Sequence, residues 1–312
     1  MSVLEVLYRV IPSNVYDLIF PLYSRCRFAT EYRDVIGILS DICDKDNEAA
    51  ELFEYMRKTG FIRFYYGDWI DEISDMEIKL KKQKDSGEYY VVHSMENGKR
   101  ERNIFFPKWM KKTFCYTYYR SLLQEQDERS PHFYFSDRVK EKILSGNGLV
   151  LDIGSSEGIF ALQALGTSNK CICFEPDIRW KEPFTHTFSE EYGKRIRMIN
   201  SFISDHTEGN TISIDDFFDR SMPDNISVIK MDIEGEEQKA HLGMRKTLEA
   251  NPSAIVLVCA YHTQEAEKEI REILEPMGYT VTPRRGYMFT YAMPGFERPY
   301  IRHGVLEAVK TG

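Results

Sequence analysis

The clearest hydrophobic pattern lies in the second half of the chain, after residue 148. Short apolar runs without polar alternation, such as Leu149–Leu151 and Ala254–Ala260, are typical of parallel strands that are buried on both faces. Helical patterns separate these runs, so we predict five strands of the βα type in one parallel sheet. The last two runs, Gly286–Tyr291 and Val305–Lys310, predict a closing antiparallel pair.

The first sixty residues carry a helical pattern instead. Apolar positions recur at helical spacing over Val15–Tyr23, Val35–Cys43 and Asn47–Thr59. Asp46 precedes the third of these segments and Gly60 follows it, which are the residue types that begin and end helices. We therefore predict helices in this region.

Residues 61–125 combine both patterns. Runs rich in β-branched and aromatic residues, with Asn97-Gly98 as a turn signal, predict a small antiparallel meander over about 61–107. A helix is predicted from Pro107 to about Gln126, because large apolar residues recur there at helical spacing. The chain is therefore divided into an α+β extension over 1–125 and an α/β domain over 126–312.

A glycine-rich turn follows the first strand of the α/β domain. Asp152 ends the apolar run, and Gly154 and Gly158 lie in the turn that leads into a helical pattern. Glycine permits a tight turn and a close approach of the backbone to a ligand. The following helix directs its free N–H groups and its positive dipole end toward the turn. This turn predicts a cofactor site for a dinucleotide or for S-adenosylmethionine.

The residues around the turn favour S-adenosylmethionine. The middle glycine of a dinucleotide fingerprint is missing, and Glu157 stands where a diphosphate would meet negative charge. Asp152 suits a cationic ligand end, such as the amino group of a methionine moiety. Glu175 ends the next apolar run and can accept hydrogen bonds from ribose hydroxyls, which either cofactor requires. A nicotinamide-dependent oxidoreductase and a non-catalytic scaffold that retains the fold stay as alternatives.

Composition and charge restrict the partners. The 312 residues have a formal net charge of −8, so we expect no nucleic-acid partner. The six cysteines form no CxxC pair, which predicts reduced thiols without a disulfide or zinc framework. We recognise no signal peptide and no apolar run of about 18 residues, so we expect a cytoplasmic protein without a membrane span.

Further polar residues lie where other predicted strands end. In a doubly wound sheet these ends meet at one edge, where ligands bind. Asp232 ends one buried run, and His262 follows another. His132 and Tyr134 lie in a polar segment before the first strand of the domain, and we predict that they form part of a lid over the cofactor.

Four sequence motifs carry a resemblance to a known family. They are Val150–Phe160, Phe174–Asp177, Ser213–Phe217 and Ile229–Glu237. Their order and spacing over about 130–310 resemble those of the FkbM family of S-adenosylmethionine-dependent methyltransferases, and the K-x-D-x-E-G-x-E block is the most specific part. The resemblance implies a seven-stranded Rossmann-like sheet with the last strand antiparallel. It also implies methyl transfer, usually to a hydroxyl of a sugar, polyketide or other small molecule.

The resemblance further implies roles for residues at the motif positions. The methionine end, the ribose and the adenine of S-adenosylmethionine would be held by Asp152, Gly154, Ser155, Gly158, Glu175, Pro176, Phe202, Ser204 and Asp205. Asp232 and Glu234 would line the reaction site.

A hydroxyl acceptor must lose its proton as the new bond forms. We predict His262 as the base and Asp232 as the second choice, with no metal, because no ligand set has recognisable spacing. The expected acceptor is a saccharide, such as a precursor of a surface polysaccharide, or another small molecule. Residues 1–125 would shape the acceptor cleft or mediate a homodimer.

Overall fold

The structure is a computed structural model that describes residues 32–59, 65–95, 100–165, 169–289, 297–298 and 300–310. In chain order, its helices are α1 (32–42), α2 (Asn47–Thr59), α3 (Trp69–Ser74), α4 (Lys112–Glu125), α5 (Asp137–Leu144), α6 (Ile159–Ala164), α7 (Lys181–Tyr192), α8 (Ile214–Phe217), α9 (Glu237–Leu242), α10 (Arg245–Ala250) and α11 (Ala266–Leu274). Its strands are β1 (Leu80–Lys82), β2 (Tyr89–Met95), β3 (Arg100–Phe105), β4 (Leu149–Ile153), β5 (Lys170–Phe174), β6 (Ile196–Ile199), β7 (Phe202–Ile203), β8 (Thr211–Ile212), β9 (Ile226–Met231), β10 (Ile255–Cys259), β11 (Tyr279–Pro283), β12 (Met288–Phe289), β13 (Ile301–Arg302) and β14 (Val305–Lys310).

A seven-stranded sheet forms the centre of the larger of two compact units, which contains residues 69–284 and 304–312. The strand order is β11-β14-β10-β9-β4-β5-β6. Strands β6, β5, β4, β9 and β10 are parallel, whereas β14 runs antiparallel to both of its neighbours. The predicted Rossmann-like methyltransferase sheet, with its last strand antiparallel, is confirmed.

The partner of the last strand differs from the prediction. Strand β14 pairs with β10 and β11, whereas Met288 and Phe289 pair with β13 in a separate two-stranded sheet. The predicted pairing of 286–291 with β14 is therefore wrong. Strand β11 has the period of two that suits a sheet edge, because Tyr279 and Val281 are buried and Thr280 and Thr282 are exposed.

Both faces of the large sheet are covered. Val150 and Val228 belong to one hydrophobic core, and the next residues along the same strands, Leu151 and Ile229, belong to the other. The first core also contains apolar side chains of the meander and of α4, so residues 69–125 pack against the sheet. This arrangement explains why the parallel strands are apolar at successive positions.

The front of this unit contains a smaller sheet. Strands β1, β2 and β3 form the antiparallel meander, and α4 follows it about five residues later than the predicted start at Pro107. The turn at Asn97-Gly98 and most of the predicted strand over 61–66 lie outside the described residues.

The second unit contains residues 1–68 and 285–303, of which the structure describes α1, α2, β12 and β13. The predicted helix over Asn47–Thr59 is confirmed. Its cap is Asp46, whose Oδ1 accepts hydrogen bonds from the backbone N–H groups of Glu48 (2.9 Å) and Ala49 (3.1 Å). The predicted helix over 15–23 lies outside the described residues.

One glycine separates two short helices after β9. The segment 238–249 forms α9 and α10, which are separated at Gly243. A Cβ atom on Gly243 would lie 2.0 Å from the carbonyl oxygen of Ser204, so only glycine lets these two backbones approach. Within the described part of the chain, no helix has the length and apolar character needed to cross a bilayer.

Candidate active site

A cavity of about 750 Å³ lies at the carboxyl ends of β4, β5 and β9. Parallel α/β sheets bind their ligands at this position, and the volume is in the range of small-molecule sites. Its walls come from the glycine-rich turn, from the segments after β5, β6 and β9, and from the last turns of α4. The sheet edge predicted from the sequence is therefore the floor of the cavity.

The glycine-rich turn is closely packed against the end of β9. Gly154 has a φ of +78°, and a Cβ atom there would lie 1.8 Å from the carbonyl oxygen of Asp232. Glycine is therefore required for the two strand ends to meet. The next residue, Ser155, lines the cavity, and its buried hydroxyl has no hydrogen-bond partner among the described residues. That hydroxyl is available to a bound ligand.

Glu175, directly after β5, lines the cavity next to the glycine-rich turn. Its Oε2 accepts a hydrogen bond from the Ser156 N–H (3.0 Å), and its Oε1 accepts one from the Asp177 N–H (2.8 Å). Burial raises the pKa of this carboxyl although both backbone donors oppose that change. Each carboxylate oxygen still has acceptor capacity, so the fixed group can receive two ligand hydroxyls.

A buried lysine lies below the turn. Lys230, on β9, donates a hydrogen bond from Nζ to the Gly154 carbonyl oxygen (2.6 Å), and the same atom lies 3.2 Å from Asp152 Oδ1. Burial lowers the pKa of Lys230, but the carboxylates of Asp152 and Asp232 outweigh that effect and the net shift is upward. Lys230 lines the cavity, whereas the Asp152 carboxylate is buried behind it.

Asp232 reaches the cavity from the end of β9 and is held on both sides. Tyr134 donates a hydrogen bond to its Oδ2 (2.9 Å), and His262 Nε2 lies 3.3 Å from its Oδ1. Burial raises the pKa of Asp232, but the charges of Lys230 and His262 and the Tyr134 hydrogen bond outweigh it and lower the pKa to about 2. The carboxylate is therefore ionised at all ordinary pH values.

His262 lies behind Asp232 and is not a wall of the cavity. Its Nδ1 lies 2.7 Å from Glu237 Oε1, so each ring nitrogen faces a carboxylate. Burial lowers the pKa of His262, but the Glu237 hydrogen bond and the charge of Asp232 raise it above the usual value. A histidine held this way favours the imidazolium form, which donates protons from both nitrogens.

His132, in contrast, is neutral. Burial lowers its pKa to about 4, even though Asp232 opposes that change. Its Nε2 lies 3.2 Å from the Tyr261 hydroxyl and 3.6 Å from Asp232 Oδ2. His132 and Tyr134 both line the cavity beside the end of β9, which is where the sequence predicts a lid.

Two glutamates whose pKa values are raised lie in the cavity wall. Tyr118, on α4, donates a 2.6 Å hydrogen bond to Glu157 Oε2. Burial raises the pKa of Glu157 to about 7, although the Tyr118 hydrogen bond opposes this. Glu125, at the end of α4, has its pKa raised by loss of solvent and by the charges of Asp232 and Glu157. Both carboxyl groups therefore hold a proton more readily than exposed glutamates do.

Most of the residues that the sequence predicts for the site line this one cavity. They are Gly154, Ser155, Glu175, Pro176, Phe202, Ser204, His132, Tyr134, Asp232 and Glu234. Four predicted residues do not line it: Asp152, Gly158, Asp205 and His262. Gly158 lies against the ring of Phe188, and the Asp205 carboxylate lies 2.7 Å from His206 Nδ1. The roles of all these residues stay predictions.

Sequence reasoning missed several cavity residues that carry charge or hydrogen bonds. Lys230 is the lone charged residue in a fully buried strand, which is a usable signal. From the sequence, Glu157 is interpreted only as a charge that repels diphosphate. Tyr118 and Glu125 lie on a helix outside the α/β pattern, and no signal in the sequence connects that helix with the turn.

Among the described residues, three groups of His, Cys, Asp or Glu side chains have atoms that could bind a metal within 4.8 Å of one another. They are His132, Asp232 and Cys259; Asp232, Glu237 and His262; and Glu88, Glu182 and His186. The contacts of His262 with both carboxylates explain the second group without an ion. In the third group, His186 Nδ1 lies 2.6 Å from Glu88, and Lys108 pairs with Glu182.

The cavity fits S-adenosylmethionine in its chemistry. The ionised Asp232 carboxylate suits the sulfonium and ammonium charges, and Glu175 suits the ribose hydroxyls. Phe202, which is exposed, and Phe174 provide apolar surface for a purine next to Ser204. The unpartnered hydroxyl of Ser155 matches a polar methionine end. A diphosphate would instead face Glu157, whose carboxyl is already buried.

Comparisons with solved structures return remote methyltransferases. They include precorrin-6y C5,15-methyltransferase from Geobacter metallireducens (12% identity, TM-score 0.37, 57% of this chain and 91% of that chain) and the O-methyltransferase from Bacillus cereus in complex with SAH (12%, 0.37, 56% and 78%). A TehB-like SAM-dependent methyltransferase from Corynebacterium glutamicum also matches (12%, 0.37, 63% and 96%). The activities in these names belong to those proteins. No curated protein gives a significant match.

The family comparison is more direct. The model of the methyltransferase FkbM domain matches residues 123–281, which is half of the chain. The match covers the glycine-rich turn, the ribose-binding candidate Glu175 and the end of β9. The resemblance inferred from the four motifs is confirmed. The chain belongs to the FkbM methyltransferase family and uses S-adenosylmethionine as its cofactor.

Proposed function

We propose that this methyltransferase methylates a hydroxyl of a saccharide or of a similar polyhydroxy small molecule. The observation that carries the proposal is the position of Asp232. Its carboxylate faces the cavity beside the glycine-rich turn and is fixed by Tyr134 and His262. A fixed, ionised acceptor at this point suits a substrate that presents an O–H group.

S-adenosylmethionine, when bound, supplies an electrophilic methyl group. The chain's own residues must orient the acceptor oxygen, exclude water and receive the proton. Asp232 accepts the hydrogen bond of the acceptor hydroxyl and takes its proton as the hydroxyl reacts. Because the pKa of Asp232 is lowered to about 2, it is a weak base. Orientation and exclusion of water therefore supply most of the rate enhancement.

His262 is a positioning residue in this proposal. Its imidazolium bridges Asp232 and Glu237 and keeps the cavity-facing carboxylate in one orientation. Glu234, whose side chain is exposed and whose φ is +60°, is the second carboxylate that faces the acceptor. Asp152 supports the turn through Lys230 and does not contact the cofactor in this proposal.

The extension before residue 126 supplies one wall of the acceptor side. Tyr118, Ser121, Leu122 and Glu125, all on α4, line the cavity. The carboxylates of Asp232 and Glu234, which line the same cavity, disfavour acceptors that carry phosphate or carboxylate near the reacting hydroxyl. A neutral or amino-bearing saccharide is the better fit.

The acceptor assay uses S-adenosylmethionine with a labelled methyl group and a panel of neutral saccharides, amino sugars, phosphorylated sugars and amines. We expect labelled methyl ethers on neutral or amino sugars. Asp232→Asn should reduce kcat at least 100-fold while SAH affinity changes less than threefold. Asp224→Asn, at an exposed position before β9, is the matched control. Label only on amine nitrogen, or a wild-type rate for Asp232→Asn, would overturn the proposal.

Glu175→Gln tests the cofactor assignment separately. Glutamine has one acceptor oxygen and an NH2 donor, so one of the two backbone N–H groups of Ser156 and Asp177 loses its acceptor, and one ribose acceptor is lost. Hydrogen bonds to charged groups contribute about 1.5–3 kcal/mol, so SAH affinity should fall roughly 10- to 100-fold by calorimetry. Glu182→Gln, at an exposed position, is the control. Unchanged affinity in a folded variant would reject the ribose role.

A further inference from the structure

Three aromatic side chains lead from the protein surface to the cavity. We call Trp109, Phe114 and Tyr118 the aromatic strip. The ring centroids of Trp109 and Phe114 are 5.7 Å apart, and those of Phe114 and Tyr118 are 6.2 Å apart. Trp109 and Phe114 are 47% and 45% exposed, which is unusual for residues of this size. Tyr118 lines the cavity and contacts Glu157 there.

The strip continues as one stripe along α4. Phe114, Tyr118, Leu122 and Glu125 are three or four residues apart, so they share a face of the helix. Tyr118, Leu122 and Glu125 line the cavity, and Phe114 extends the same face into solvent. At a rise of 1.5 Å per residue, this stripe spans about 16 Å from Phe114 to Glu125. Such a distance is longer than one sugar ring.

The aromatic strip is held in place by its neighbours at both ends. The guanidinium of Arg179 lies over the Trp109 ring at 4.7 Å, and Asp177 fixes that guanidinium through 2.6–2.9 Å contacts. Trp180 packs against Tyr118 at a centroid distance of 5.9 Å. An ordered aromatic surface loses little conformational entropy when a ligand binds to it.

We propose that the aromatic strip is an acceptor subsite that binds the additional sugar residues of an oligosaccharide whose terminal hydroxyl enters the cavity. This inference rests on the proposed methylation of a saccharide and names its acceptor as longer than a monosaccharide. The C–H faces of a sugar ring are apolar and stack on aromatic rings, while the ring's hydroxyls need polar partners at the edges. The strip provides both kinds of contact.

Charged groups beside the strip favour a saccharide over a lipid or a protein helix. Lys108 pairs with Glu182, and Arg179 pairs with Asp177, on either side of the exposed rings. These ion pairs leave a narrow apolar surface and offer hydrogen-bonding groups next to it. The strip also leads to the cavity that contains the Asp232 carboxylate, which disfavours the phosphate of an anionic lipid.

The first experiment measures methyl transfer to immobilised and free mono-, di-, tri- and tetrasaccharides of hexoses and amino hexoses. We expect the double variant Trp109→Ala/Phe114→Ala to raise KM for tri- and tetrasaccharides at least tenfold. KM for the corresponding monosaccharide, kcat at saturation and SAH affinity should change less than threefold. Tyr116→Ala is the matched control, because Tyr116 is an exposed aromatic residue of α4 that lies off the strip and contacts Arg120.

The second experiment reads the strip directly by fluorescence. The sequence has three tryptophans, and Trp69 and Trp180 are buried, so quenching by acrylamide reports mainly on Trp109. We expect the best tetrasaccharide of the first experiment to protect Trp109 from the quencher and its monosaccharide to give no protection. Trp109→Phe identifies the signal, since it should remove most of the quenchable emission.

The two possible failures are distinguishable. Equal KM values for short and long saccharides, with an unchanged KM in the double variant, would overturn the subsite and leave the proposed function intact. Methyl transfer to no saccharide by the wild-type protein would overturn both. Protection of Trp109 by vesicles of neutral lipid but not by oligosaccharides would also overturn the saccharide assignment.

Discussion

The ammonium group of Lys230 lies 3.2 Å from the carboxylate of Asp152, and both side chains are buried under the glycine-rich turn. Lys230 also donates to the carbonyl oxygen of Gly154, so the pair ties β9 to the turn that follows β4. A buried ion pair contributes little net free energy against an apolar pair of the same size. Its value here is geometric, because it fixes the floor of the cavity.

Lys230→Met should lower the free energy of unfolding by about 3–5 kcal/mol, because it leaves Asp152 as a buried charge without a partner. Asp152→Asn should also lower the free energy of unfolding, because it leaves the buried ammonium group of Lys230 without this carboxylate. The double variant should recover a large part of the loss, and urea denaturation of all four proteins measures the coupling. A double variant as unstable as the sum of the single variants would show that the two groups do not interact.

His262 can be tested through the sign of its pH dependence. If its imidazolium positions Asp232, kcat of the wild-type protein should fall as pH rises through the raised pKa of His262. If His262 were the base, kcat should rise over the same range, because the neutral ring would be the active form. The measurement is a pH profile of kcat. The His262→Gln variant should lose about tenfold in kcat and should not show the fall in kcat at high pH.

The same residue affects stability in a defined direction. Because the folded-state pKa of His262 is raised, its contribution is fully present below about pH 6.5 and is lost as pH rises through the folded-state pKa. The difference in unfolding free energy between the wild type and His262→Gln should therefore be larger at pH 6 than at pH 9. An equal difference at both pH values would contradict the ion pairs with Asp232 and Glu237.

Glu157 should give a titration of the same sign at lower pH. Its pKa is raised by burial from 4.5 to about 7, so the folded protein binds a proton that the unfolded chain has released. This carboxyl should therefore make the free energy of unfolding fall as the pH rises from about 4.5 to about 7. Glu157→Gln, which can still accept from Tyr118, should remove that fall, as measured by urea midpoints at pH 5, 6, 7 and 8. Parallel curves for both proteins would mean that the folded-state pKa is not raised.

Gly243→Ala should disturb the cofactor site through Ser204, which contacts Gly243 and lines the cavity. The added methyl group would lie 2.0 Å from the Ser204 carbonyl oxygen, and overpacking of this kind costs about 1–3 kcal/mol. Because Ser204 lines the cavity, SAH affinity should also fall severalfold by calorimetry. Gly37→Ala is the control, since it has open space in a helix and should stabilise by up to about 1 kcal/mol.

The sheet could be predicted from the sequence because its signals are local. Buried parallel strands are apolar at successive positions, and each is followed by a helical pattern, so β4, β5, β9 and β10 were all recognised. The pairing of β14 was not predicted correctly, because the choice between 279–283 and 286–291 depends on contacts far apart in the chain. Alternation alone does not identify a strand's neighbour.

The candidate site divides in a similar way. Residues at strand ends, such as Glu175 and Asp232, were predicted to meet at one sheet edge, and they line the same cavity. The contribution of α4 could not be predicted, because Tyr118 and Glu157 are 39 residues apart and meet only through tertiary packing. His262 has the residue type of a base, but its burial behind Asp232 is visible only in three dimensions.

The position of β14 has a consequence for how this protein folds during synthesis. Strand β11 bonds to the rest of the large sheet through β14, and β14 follows β11 only after the intervening segment 284–304. Until β14 has left the ribosome, β10 has one unpaired edge and β11 has no place in the sheet. Exposed strand edges promote aggregation. We therefore expect nascent chains stalled before residue 305 to need chaperone protection, whereas chains that include β14 can close the sheet.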